Sequence, residues 1–157
     1  THVELRALVG ECLELSRTRH HLKVENLYFE AGQAASDFPV EGDPEELRTA
    51  VTNVVENAIK YSGEKVDVAV RLDAPDQNLV VLRVRDRGVV VPPADLKRIF
   101  RRCYRVRQRS LSHIKGTGLG LFIVRAVARA HGGKAYAESE GEGRGTTIVI
   151  ELPRSAA

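Results

Sequence analysis

Asp43-Pro44-Glu45-Glu46-Leu47-Arg48-Thr49-Ala50-Val51-Thr52-Asn53-Val54-Val55-Glu56-Asn57-Ala58-Ile59-Lys60-Tyr61-Ser62 carries the strongest helix signal in the sequence together with an unusual polar stripe. Asp43 is placed to cap the helix, Pro44 suits its first turn, and Glu45 and Glu46 oppose the positive end of its dipole. Leu47, Val51, Val54, Val55 and Ala58 then fall on one apolar stripe, and Gly63 closes the helix to about Tyr61. On the opposite side, Asn53, Asn57 and Lys60 follow i, i+4, i+7 spacing and so line one face. Asparagine in a helix interior costs about 0.5 kcal/mol relative to alanine, because its side chain competes for backbone hydrogen bonds. Two on one stripe therefore need a reason. Solvation is one; the other is ligation, since a carboxamide oxygen is a neutral hard ligand suited to Mg²⁺ when phosphates supply the remaining charge.

Outward from this helix the pattern alternates. Towards the start, Leu5, Leu8, Val9, Cys12, Leu13 and Leu15 predict an amphipathic helix over about Val3 to Arg19, packed on the outside. Short strands fit Leu27 to Glu30 and Phe38 to Val40. In the other direction, Val66 to Leu72 and Leu79 to Arg85 alternate as two strands of a hairpin around an Ala-Pro-Asp-Gln-Asn turn. A loop with Gly88 and Pro92-Pro93 follows, then a short helix near Asp95 to Arg101 and a basic loop. A third long helix is predicted over Leu119 to Ala130, ended by Gly132-Gly133, before a second hairpin of Lys134 to Glu140 and Thr146 to Leu152. The sum is an α/β (α+β) two-layer sandwich, a mixed, mostly antiparallel sheet covered by about three helices.

Length and composition agree with one domain: 157 residues, 43% hydrophobic and 29% charged, is the balance of an ordinary globule. No apolar run approaches the ~18 residues that cross a bilayer, and no signal peptide is visible. The absence of methionine reads as a chain excised from a longer protein, so the expectation is a cytoplasmic fragment whether or not its parent is membrane-anchored. Cys12 and Cys103 lack zinc-site spacing and are expected to be free thiols. The net charge of +3 is uneven, for Leu96 to Ala137 contains Lys and Arg but no Asp or Glu. A solvated basic surface, a polyphosphate ligand and a nucleic-acid backbone all fit that segment. With only Phe100, Tyr104, Phe122 and Tyr136 for stacking and no base-reading motif, nucleic acid is the least favoured.

Two further stretches carry chemistry. Gly116-Thr117-Gly118-Leu119-Gly120-Leu121 opens the third helix, where close backbone approach and unpaired N–H groups favour an anionic phosphate, although a glycine-rich turn has the same look. Its spacing is neither a Walker A loop nor a dinucleotide fingerprint. Asp86-Arg87-Gly88 ends a strand, where the acid could form a turn or accept a hydrogen bond from the exocyclic amine of adenine.

In this order and spacing these elements resemble the histidine-kinase branch of the GHKL ATP-binding proteins over nearly the whole chain. Residues of about 49–62 look like the N box, about 86–92 like the G1 box, and Ile99-Phe100 with Tyr104-Arg-Val106 like the F box (about 99–106). Gly116 to Leu121 looks like the G2 box, while His131-Gly-Gly133 and Gly143-Arg-Gly145-Thr146 match the segments beyond it. The resemblance implies a Bergerat-type ATP-binding fold with a lid over about Arg101 to Lys115. It implies that ATP and Mg²⁺ bind with Asn57 on the metal, that Asn53, Lys60 and Tyr61 line the nucleotide site, and that Asp86 takes the adenine amine. Gly88, Val91, Tyr104, Thr117, Gly120, Leu121 and Thr146 would complete the site, with backbone contacts to the phosphates from Gly116, Gly118 and Leu119. Ile59, Val91, Leu121 and Ile148 would wall the base. Arg105 and Lys60 would be the catalytic cations, Arg105 reaching the terminal phosphate.

The activity implied is transfer of the ATP γ-phosphoryl group to a histidine in two-component signalling. None of His2, His20, His21, His113 or His131 is followed by the family's acid, basic residue and proline, so the acceptor is expected on a separate dimerisation domain of the parent, with a response regulator downstream. Two departures stand out. Val90 replaces the second G1 glycine, and Cys103 stands where phenylalanine is usual; a branched side chain and a lost aromatic anchor predict weaker nucleotide affinity and a looser lid. The competing readings are a docking module with impaired nucleotide binding, an anti-sigma serine kinase, and a GHKL ATPase, whose water-activating glutamate would fall where this chain has Asn53.

Overall fold

The computed structural model describes residues 1–32, 38–62, 65–88, 98–100, 120–139 and 145–155. In chain order these form β1 (His2–Glu4), α1 (Leu5–His20), β2 (Leu27–Ala31), β3 (Pro39–Glu41), α2 (Pro44–Tyr61), β4 (Val68–Asp76) and β5 (Leu79–Asp86). A 3-10 turn at Arg98–Phe100, α3 (Gly120–Ala130), β6 (Lys134–Ser139) and β7 (Thr146–Pro153) follow.

Five strands make one sheet in the order β2-β4-β5-β7-β6, in which only the β2–β4 pair is parallel. Both predicted hairpins, β4–β5 and β6–β7, are present, and β7 lies between β5 and β6. Alternation along the strands sends Val70, Leu72, Leu82, Val84, Ile148 and Ile150 into a core shared with the three helices. The other face places Arg71 and Arg83 in register, and Tyr136 donates to Glu151 Oε2 at 2.6 Å. This is the two-layer, mostly antiparallel arrangement read from the sequence.

The helix from Asp43 forms as its residues dictate: Asp43 Oδ1 accepts from the backbone N–H of Glu45 at 2.9 Å and of Glu46 at 3.3 Å, and Pro44 occupies the first turn. Ser62 closes it; Gly63 lies outside the described residues. Replacing the Asp43 cap would cost about 1 kcal/mol. Among the described residues, no helix is long and apolar enough to cross a membrane.

Three expectations are corrected. Residue Val3 belongs to β1, paired with Val40 of β3 in a separate two-stranded sheet, so the first helix starts at Leu5. As an amphipathic helix should, it buries Leu5, Leu8, Val9, Cys12 and Leu13 in the core and exposes its other face. Leu15 is 61% exposed and Ser16 is buried instead, because Ser16 sits near the middle of the stripe while Leu15 falls about 90° from it. Finally, β4 continues through Pro75 to Asp76, with a register shift between Asp73 and Asp76 that accommodates the proline. The turn is thereby confined to Gln77 and Asn78, whose N–H donates to Asp76 Oδ1 at 2.7 Å.

Candidate functional site

The polar face of α2 survives into the structure. Asn53, Asn57 and Tyr61 are half-buried and Lys60 is exposed, while Val54, Val55 and Ala58 on the other side are sealed in the core. Along β5, Val80, Leu82, Val84 and Asp86 share the core-facing positions, so Asp86 occupies the place where strict alternation would put another apolar residue. It is only 3% exposed. Burial pushes its carboxyl up from 3.8 to about 6, against the opposing pull of the backbone N–H groups of Gly88, of Asp86 itself and of Thr146. The Gly88 N–H donates to Oδ1 at 3.0 Å.

Glycines let these pieces approach one another. A Cβ on Gly88 would overlap the carbonyl oxygen of Tyr61 and fall 2.5 Å from Ser62 Cα, so the backbone leaving β5 lies directly on the last turn of α2. Gly145 has φ +71°, and a side chain there would strike the carbonyl of Asp86. Thr146, buried, is Asp86's register partner at the start of β7. A Cβ on Gly120 would lie 3.9 Å from Asn53 Cβ, which sets the start of α3 against the carboxamide face. Helix α2 is thus approached at two points, at its last turn by Gly88, two residues beyond Asp86, and at Asn53 by Gly120 of α3.

The remaining predicted residues divide in two. Ile59, Leu121 and Ile148, expected to wall a base, belong to the buried core, as do Ile99 and Phe100 of the F-box stretch. Val90, Val91, Cys103, Tyr104, Arg105, Gly116, Thr117, Gly118 and Leu119 lie outside the described residues, with the expected lid. Among the described residues there is no cluster of three His, Cys, Asp or Glu side chains to cage a metal. The donor set nevertheless suits Mg²⁺, because a neutral carboxamide such as Asn57 is an adequate protein ligand where a triphosphate brings the negative charge.

Sequence reasoning missed how Glu56 is used. It accepts from Ser16 Oγ at 3.1 Å, lies 2.8 Å from His20 Nε2 and pairs with Arg19 at 3.4 Å, tying α2 to α1. Burial would raise its carboxyl, but the hydrogen bonds from His20 and Ser16 and the charges of His20 and Arg19 prevail and hold it below its ordinary value. No local signal joins residues 36 or 40 apart.

Comparison with known proteins shows the family. Residues 42–156 match the family described as histidine kinase-, DNA gyrase B-, and HSP90-like ATPase. The chain is 34% identical over 152 residues to the sensor histidine kinase WalK of Bacillus subtilis (strain 168), covering 96% of this chain and 24% of that protein. It is 36% identical over 137 residues to the sensor protein kinase WalK of Staphylococcus aureus, covering 86% of this chain and 32% of that protein. It thus spans about a quarter to a third of these curated relatives. Among solved structures, a mycobacterial sensor histidine kinase, MprB, superposes with a TM-score of 0.82 at 31% identity, covering 100% of this chain and 99% of that one. Full-length ShkA in complex with AMPPNP gives 0.78 at 27% identity, over 100% of this chain and 32% of that one.

Proposed function

Because the chain belongs to the family of histidine kinase-, DNA gyrase B- and HSP90-like ATPases, as an ATP-binding catalytic domain of the sensor histidine kinase kind, we propose that it binds Mg-ATP between α2, the end of β5 and the start of α3. It passes the γ-phosphoryl group to a histidine on a separate dimerisation domain of a longer, cytoplasm-facing parent, from which a response regulator receives it. The observation that carries this reading is the packing of three segments around Asp86, in which glycines 88 and 145 let the ends of α2 and β7 close on one buried carboxylate. AMPPNP, an ATP analogue, is bound in the similar ShkA structure.

The chemistry is positioning and charge neutralisation. Asp86 accepts a hydrogen bond from the adenine amine, which fixes the base in a water-poor recess. Asn57 would hold Mg²⁺, which when bound neutralises phosphate oxygens. Lys60, exposed at the last turn of α2, and the backbone N–H groups of Gly116 to Gly120 hold the phosphates, with Thr117 and Leu121 fixing the helix start. Arg105 stabilises charge on the transferred group, while Val91 and Tyr104 cover the nucleotide. The nucleophilic imidazole comes from the partner domain. Glu56 is engaged by Ser16, His20 and Arg19, which leaves it poorly placed to activate water and disfavours an ATPase.

Titration calorimetry with ATP tests this, with and without Mg²⁺. Micromolar to submillimolar binding is expected for the native chain. Asp86→Asn and Asn57→Ala should each weaken it at least tenfold, and chelating Mg²⁺ should erase the difference between Asn57→Ala and the native residue. Native affinity in both variants would refute the assignment.

A further inference from the structure

The two helices that bear the opposite halves of the nucleotide site are fastened to each other at the ends far from it. At the close of α3, His131 lies over Gly42, just ahead of α2; a Cβ on Gly42 would overlap the imidazole at Cδ2 and Nε2. The backbone N–H of Asp43, the cap of α2, donates to His131 Nε2 at 3.1 Å. A backbone N–H can only donate, so Nε2 accepts and Nδ1 carries the proton. Nδ1 lies 2.8 Å from the carbonyl oxygen of Val127, one turn back in α3, and donates to it. One ring thus links the Val127 carbonyl of α3's last turn, which also accepts the His131 backbone N–H at 3.1 Å, to a backbone donor at the start of α2.

At the other end of the same antiparallel pair, Gly120 faces Asn53. Ten residues of α2 and eleven of α3 separate the two points, a lever of about 15 Å at 1.5 Å per residue. The helices pack against each other, and Val51 and Val54 of α2 and Val124 and Val127 of α3 are buried in the core. The side chains of packed helices interlock and limit sliding, and a directed hydrogen bond at one end adds a fixed reference for the axial position.

We propose that His131 is a positioning residue for nucleotide binding: by bridging Val127 to Asp43 it sets the register of α3 against α2, and with it the gap between the carboxamides of Asn53 and Asn57 and the glycine-led start of α3. This rests on the nucleotide reading above. The ring touches no part of the site and acts only through the two helices.

The test compares the Mg-AMPPNP affinity of the native chain, His131→Ala, His131→Gln and Gly42→Ala by calorimetry, well below each variant's separately measured Tm. His131→Ala is expected to bind about three- to tenfold more weakly while still folded. Glutamine, whose amide oxygen reaches the place of Nε2, should recover most of the loss. Gly42→Ala, which displaces the ring without removing it, should reproduce the defect and decides the matter if His131→Ala does not fold. Unchanged affinity in both His131→Ala and Gly42→Ala, with only Tm reduced, would show the bridge to be purely structural and overturn the inference. Failure of glutamine to restore binding would overturn the role given to Nε2. Absence of binding by the native chain would instead remove the nucleotide reading, and this inference with it.

Discussion

Replacing Asp86 by asparagine should make the free protein more stable while removing its ligand. The carboxyl is 3% exposed, and burial lifts it from 3.8 to about 6; at about 1.4 kcal/mol for each tenfold in proton affinity, holding it ionised at neutral pH costs about 3 kcal/mol. Asparagine keeps an oxygen for the Gly88 N–H but must house an amide NH₂ where the carboxylate accepted, a penalty of about 1–2 kcal/mol. The net gain is then about 1–2 kcal/mol, or roughly 2–8 °C in Tm for a chain of this size. The sign of the pH dependence follows from the raised value. The stability linked to protonating Asp86 is complete below the unfolded value of 3.8 and is lost as pH rises through about 6. Asparagine does not titrate, so its advantage over the native residue should be widest above about pH 6.5 and should close towards pH 4. Urea unfolding of both proteins between pH 4 and 7.5 measures this directly, with ATP calorimetry as the companion assay. An Asp86→Asn protein less stable than native at pH 7.5, or a stability gap that ignores pH, would refute the argument that the site holds a costly buried charge.

Three other outcomes are expected. Gly145→Ala should lose about 2 kcal/mol or more in denaturant unfolding, because a side chain at φ +71° also runs into the Asp86 carbonyl; a loss under about 0.5 kcal/mol would contradict the close approach. Glu56, held below its ordinary 4.5 by His20 and Ser16 despite burial, contributes stability that is present above that value and lost as pH falls through its lower folded value. Glu56→Gln should therefore flatten the acid limb of a pH-stability curve, and an unaltered limb would count against the pairing. Val90→Gly should tighten Mg-ATP binding in a titration if glycine geometry is wanted there, with unchanged or weaker binding speaking against it.

The helices and hairpins were legible because their causes are local. Asp43-Pro44 starts α2 by chemistry within four residues, and the 3.6-residue stripe and two-residue alternation are set by neighbours in sequence. Residue Val3 was misjudged because three residues of strand directly before a helix can share its apolar rhythm, and Pro75 because a bulge lets a strand carry a residue that usually ends one. The insertion of β7 between β5 and β6 left no trace, for strand order beyond a hairpin is decided by long-range pairing. At the site, residue types and spacing were enough to nominate Asn53, Asn57 and Asp86. The depth of Asp86's burial, the capture of Glu56 by α1 and the bridge at His131 depend on partners dozens of residues away, which only the folded chain brings together.

The position of β7 has a consequence for how the protein comes to exist on the ribosome. Until residues 146 to 153 have emerged, β5 and β6 have no common neighbour, and the flank of β5 presents bare main-chain donors and acceptors beside Val80, Leu82 and Val84. An incomplete nascent chain would therefore expose a sticky margin, a natural client for a chaperone. Asp86 would also lack its neighbours Gly145 and Thr146, which arrive only with that later strand.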